Sequence, residues 1–113
     1  VYAHPASVDS IPSSANQEDV VSMGTTAARK AGMIVQNTLS VLAMELLTAC
    51  QAIDIRRRLN THGQGITPLH EALYQHVREK VAFFEIDREI WPDIAEVEKM
   101  MRSGELPSEW TAP

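Results

Sequence analysis

Between Leu39 and Cys50 the sequence leaves almost no polar face: only Ser40, Glu45 and Thr48 interrupt a run of Leu, Val, Ala and Met. The run lies inside a longer helical pattern. Apolar residues recur at Ala27, Ala31, Ile34, Val35, Leu42, Leu46, Ala49 and Ile53, spaced by three, four or seven. This predicts one helix over residues 24–58, with Thr25 or Thr26 as its cap. A helix of about thirty residues would be ~45 Å long at 1.5 Å per residue. A helix that is apolar nearly all round is a buried helix. A chain of 113 residues, one domain or less, cannot wrap it alone. It needs the rest of its own protein, other subunits, or copies of itself.

The remaining pattern is helical too, and no strand is predicted. Residues 1–23 read as extended loop, with Pro5 and Pro12 fixing φ and Ser13, Ser14, Asn16 and Asp19 favouring turns; a short helical turn is possible at Gln17–Val21. Residues 59–67 form a loop around Gly63 and Gly65. Thr67 and Pro68 form a cap and first turn for a second helix over 68–84, with Leu69, Leu73, His76, Val77, Val81 and Phe84 on one side. Glu85–Trp91 is a connector. A third helix over 92–104 begins at Pro92, carries Ile94, Ala95, Val97, Met100 and Met101, and ends at Gly104. Residues 105–113 are a tail. The fold class is therefore all-α: an N-terminal extended loop, one long buried helix and two shorter helices, as part of a larger helical bundle.

Composition removes several classes of function. The net charge of −5 argues against nucleic acid or an anionic membrane as partner. The only basic run, Arg56-Arg57-Arg58, sits near a helix C-terminus, where cations favour the macrodipole. No segment reaches the ~18 uninterrupted apolar residues of a membrane span, and no signal peptide is visible. The single Cys50 cannot form an intrachain disulfide, which fits a reducing, cytoplasmic setting; it is expected to be a buried small hydrophobe. His4, His62, His70 and His76 lack the spacing of a metal site, so no metal is expected. There is no phosphate loop and no nucleophile elbow.

The first quarter of the chain carries the chemistry. Pro5-Ala6-Ser7-Val8-Asp9-Ser10 leads to Asn16-Gln17-Glu18-Asp19 and then to Val21-Ser22-Met23-Gly24. It is too polar for a core and too particular for a linker, and loops on rigid scaffolds are where binding side chains sit. By spacing alone, Glu18 is better read as capping or neutralising a helix start than as a catalyst. Asn16 and Gln17 either fix the backbone or touch a ligand. Asp19 reads as a cap or as a partner for Arg29.

These motifs, with Ala27-Ala28-Arg29-Lys30, Val41-Leu42-Ala43-Met44-Glu45-Leu46-Leu47, Ala52-Ile53-Asp54-Ile55-Arg56, Asp87-Arg88 and Pro92-Asp93-Ile94, resemble the C-terminal part of the aromatic amino acid lyase family, and within it the histidine ammonia-lyase branch. The resemblance spans most of the chain in register; the turn at Asn60–Thr67 is less diagnostic. It implies that Glu18 is catalytic and binds substrate, near the imidazole of L-histidine, where phenylalanine lyases carry an amide. Gln17 and Asn16 are implied as substrate-binding neighbours. A carboxylate can accept from an imidazole N–H, whereas a benzene ring offers nothing to pair with. The resemblance also implies a homotetramer with long helices bundled at its centre, and active sites built from several subunits.

The family's electrophile is a methylidene-imidazolone formed from an internal Ala-Ser-Gly. This sequence has none, the nearest match being Arg102-Ser103-Gly104. The family's tyrosine base also lies outside it, since Tyr2 and Tyr74 do not match that motif. With Val1 rather than Met at its start, the chain is expected to be a C-terminal fragment, inactive alone, of an enzyme converting L-histidine to trans-urocanate and ammonia. Two alternatives stay open: a phenylalanine or tyrosine lyase or aminomutase of the same family, and a non-catalytic helical interaction module.

Overall fold

A computed structural model describes residues 3–5, 12–18, 21, 23–59 and 65–106. The chain divides into two compact units, 1–38 and 39–113. Three helices are present: α1 Gly24–Arg58, α2 Pro68–Lys80 and α3 Trp91–Ser103. Among the described residues there is no strand, only an isolated antiparallel bridge between Ser13 and Glu18.

Helix α1 covers the expected residues 24–58, but its cap position is Met23, two residues before Thr25. Ala27 N donates to the Met23 carbonyl at 2.9 Å, so Thr25 and Thr26 lie inside the first turn instead of capping it. Helix α2 starts as its sequence dictates: Thr67 Oγ1 accepts from His70 N at 3.3 Å, and Pro68 follows the cap. Its end differs from the expectation. It stops at Lys80, not at residue 84, because Val81 turns to extended backbone at φ −121°, ψ 111°. Two carbonyls beyond the helix are taken by side chains. Arg78 donates to the Val81 carbonyl at 3.1 Å, and Gln51 Nε2 to the Phe84 carbonyl at 2.7 Å. Helix α3 ends on Gly104 at φ 73°, a left-handed cap that glycine adopts at little cost.

The core belongs to the second unit. Ala43, Leu47 and Cys50 of α1 meet Leu73, Tyr74 and Val77 of α2, Val81 of the connector, and Val97 and Met100 of α3. Burial pushes the Cys50 thiol up, against a smaller pull from Arg78, so it stays a protonated packing group. Around this core runs a polar network. Asp54 Oδ1 accepts from the Tyr74 hydroxyl at 2.5 Å, and Oδ2 from Arg78 Nε at 2.8 Å and from its terminal nitrogen at 2.7 Å. Arg57 and Arg78 flank the Tyr74 ring at 4.5 and 5.9 Å from its centre. Ser40 donates to Glu98, tying α1 to α3.

Within this chain α1 is not enclosed, as expected of a helix that 113 residues cannot wrap alone. Only Ala43, Leu47 and Cys50 of its residues are buried, while Met33, Ile34 and Val35 in the first unit, and Val41, Leu42, Met44 and Ile55 in the second, are each more than 40% exposed. Two partner helices of 13 residues each cannot enclose one of 35. By length and composition α1 could also cross a membrane; the core helix of a folded protein meets the same requirement.

Two outcomes follow from this packing. Exposed apolar side chains of this number on α1 are what interaction surfaces present, so the 113-residue chain should self-associate; sedimentation giving a monomer at high concentration would refute it. Replacing Tyr74 by Phe should cost about 1.5–3 kcal/mol in urea unfolding, the worth of a hydrogen bond to a charged group. The Tyr74 phenol is raised by burial and then by Asp54. A raised acid adds stability that is complete below its unfolded pKa, near 10, and lost as pH rises through the folded value. Wild type should therefore lose stability at alkaline pH more steeply than the Phe variant.

Candidate active-site turn

In the first unit, Ser13 and Glu18 pair through both backbones: Ser13 N donates to the Glu18 carbonyl at 3.0 Å, and Glu18 N to the Ser13 carbonyl at 3.2 Å. Between them Gln17 N donates to the Ser14 carbonyl at 3.2 Å. Ser14, Ala15 and Asn16 all have positive φ, at 50°, 56° and 67°. Positive φ at Ala15 and Asn16, the two central residues of the Ser14–Gln17 turn, is the type I′ pattern, whose twist suits a hairpin. Asn16 is at home there. Alanine is not, and left-handed backbone at such a residue costs of order 1–3 kcal/mol.

The turn sets out the three predicted residues together. Asn16, Gln17 and Glu18 are exposed and consecutive on it, so Gln17 and Glu18 do not begin a helical turn. Asp19 lies outside the described residues, as do Ser7–Ser10, Tyr2 and His62. Among the described residues, Ser13 Oγ donates to Glu18 Oε2 at 2.9 Å. Ser13 drew attention in the sequence only as a turn former. A hydroxyl five residues before the carboxylate, across Ser-Ala-Asn, is the signal that could have marked it.

Nearby in sequence, Thr26, Arg29, Lys30, Gly32, Met33, Gln36 and Asn37 line an open groove of about 700 Å³ along the start of α1. Glu18 is not among its lining residues. Lys30 Nζ is engaged by the His4 carbonyl. Among the described residues no three His, Cys, Asp or Glu side chains cluster to hold a metal. His76, predicted to pack, is half-buried beside Glu79, with Nδ1 3.7 Å from that carboxylate.

An all-helical scaffold with a carboxylate on a constrained polar turn ahead of its longest helix defines a distinctive class. The sequence pattern of aromatic amino acid lyases matches residues 1–79, and the chain belongs to the aromatic amino acid lyase family. It is 51% identical over 106 residues to histidine ammonia-lyase of Symbiobacterium thermophilum, covering 94% of this chain and 20% of that protein. The crystal structure of histidine ammonia-lyase from Trypanosoma cruzi superposes with a TM-score of 0.79 at 45% identity, covering 93% of this chain and 20% of that one. Tyrosine aminomutase from Streptomyces globisporus superposes with a TM-score of 0.78 at 39% identity, over 90% of this chain and 19% of that one. The chain thus spans about a fifth of the length of the curated relatives it matches.

The turn geometry is testable at Ala15. Replacement by Val adds a branched Cβ at positive φ, which such residues resist, and should lower hydrogen-exchange protection of the Ser13 and Glu18 amides by about tenfold or more, the factor that ~1.4 kcal/mol brings. Replacement by Gly should leave it within a few-fold. Equal protection in the Val and Gly variants would show that the left-handed turn is not what closes the pair.

Proposed function

We propose that the whole protein carrying this chain removes ammonia from L-histidine to give trans-urocanate, breaking the Cα–N bond and one Cβ–H bond as the double bond forms. The observation that carries this reading is about 50% identity, over nearly the whole chain, to proteins named histidine ammonia-lyase. The exposed Glu18 carboxylate gives it a chemical basis. One oxygen is held by Ser13, and a carboxylate oxygen can accept from an imidazole N–H. Glu18 is then the catalytic and substrate-binding residue of this chain, with Gln17 and Asn16 as neighbours that shape the turn or touch the substrate.

The reaction needs an electrophile, which a methylidene-imidazolone supplies in such enzymes. The residues here do not fit its formation. In Arg102-Ser103-Gly104, Ser103 Oγ donates to the Met100 carbonyl at 3.2 Å and Gly104 closes α3. The group therefore belongs to another part of the whole protein, and this chain's contribution is recognition. We read α1 as a core helix of a soluble, cytoplasmic homotetramer rather than a membrane span, since its exposed apolar residues need protein partners. The likeness to a tyrosine aminomutase supports a second reading, in which the same scaffold moves the amino group instead of releasing it.

Replacing Glu18 by Gln in the whole enzyme tests recognition. A hydrogen bond to a charged group is worth roughly 1.5–3 kcal/mol, on the order of ten- to a hundredfold in rate when made in the transition state. Histidine kcat/KM should fall by about that factor, while phenylalanine use is spared or improved, because a carboxylate beside a benzene ring is desolvated without a partner. A ratio of the two kcat/KM values that moves less than about twofold would return Glu18 to a structural role.

A further inference from the structure

Ser13 and Glu18 are the hydrogen-bonded pair of an antiparallel bridge, and in such a pair the two side chains leave on the same face. Their hydroxyl and carboxylate therefore meet by construction. A glutamate side chain has three rotatable bonds, and on an exposed turn its carboxylate would otherwise sweep a wide arc. The Ser13 hydroxyl, at 2.9 Å from Oε2, makes a charge-assisted bond that selects one rotamer. Its single proton is committed there. The bond goes to Oε2, and the second carboxylate oxygen, Oε1, is an acceptor in its own right. The positive φ values at Ser14, Ala15 and Asn16 hold the two residues at this separation.

We propose that Ser13 is a positioning residue: it aims the Glu18 carboxylate so that Oε1 is presented to a substrate ring bearing an N–H donor, and thereby sets the preference for such rings. The proposal rests on the reading of Glu18 given above. It assigns specificity to the pair, with serine fixing direction and glutamate supplying the acceptor. A serine that merely closed the turn would act equally on every substrate, and would matter as much without Glu18 as with it.

The experiment is a double-mutant cycle in the whole enzyme, read as kcat/KM for L-histidine. Ser13→Ala is expected to lower it roughly tenfold, within the range for a hydrogen bond to a charged group, with most of the loss in kcat. Ser13→Thr, which keeps the hydroxyl, should restore it to within about threefold of wild type. Ser13→Cys, close in size but a feeble donor, should behave like the alanine variant, which separates lost volume from lost hydrogen bonding. In a Glu18→Ala background there is no carboxylate to aim, and Ser13→Ala should change turnover less than about twofold. An equal loss in both backgrounds, or no loss in wild type, overturns the positioning role. If Glu18→Ala itself leaves histidine turnover intact, the reading of Glu18 falls and the proposal with it. That result is distinct from one in which Glu18→Ala is crippled and Ser13→Ala is not.

Discussion

Asp54 holds the second unit together. Its carboxylate receives the Tyr74 hydroxyl and two nitrogens of Arg78, so one α1 residue fixes two successive turns of α2. Arg78 then reaches the Val81 carbonyl, and Gln51, one turn before Asp54 on α1, reaches the Phe84 carbonyl. The chain is thereby drawn out of α2 and along α1 before α3 begins. The Arg78 and Asp54 side chains are 10% and 15% exposed, so desolvation offsets much of their attraction. What the network supplies is direction. It gives polar partners to backbone groups that leave a helix over an apolar core, where unmade hydrogen bonds cost more than made ones gain.

The second constraint is the mismatch in helix length. Helices α2 and α3 cover one side of α1 around Ala43, Leu47 and Cys50, and leave Val41, Leu42, Met44 and Ile55 outside. These exposed residues are the same aliphatic types that fill the core. The chain covers about a fifth of its relatives' length.

Local signals carried most of the fold into the sequence. Thr67-Pro68 and Gly104 were legible because caps act on their own backbone neighbours. The end of α2 was not, since Val81 to Phe84 continue an apolar helical spacing and only Arg78 and Gln51, from elsewhere, pull them straight. The cap of α1, though not its span, was misread at its two threonines: Met23 supplies the first carbonyl. Enclosure of α1 was legible as a need, and unmet by this chain. The turn at Ser14–Gln17 was only partly legible: Asn16 favours positive φ, but Ser14 and Ala15 do not announce it the way glycine would. Glu18 itself was marked by family likeness, since its spacing favoured a structural role.

That turn is where conformation and chemistry meet. Glycine at Ala15 would relax the left-handed backbone, but it would also widen the range of shapes open to the loop. A side chain at each of the three positions keeps the few conformations that remain close to one another, at a local cost the rest of the unit must cover. The Ser13–Glu18 pairing then transmits this restriction to a carboxylate that would otherwise have three free torsions. Acceptors aimed before the substrate arrives need no reorganisation when charge develops, which is why a preset orientation favours the transition state over the bound substrate. With Glu18 and Ser13 in their proposed roles, the selectivity of the site lies in the backbone between residues 13 and 18 as much as in the carboxylate at its end.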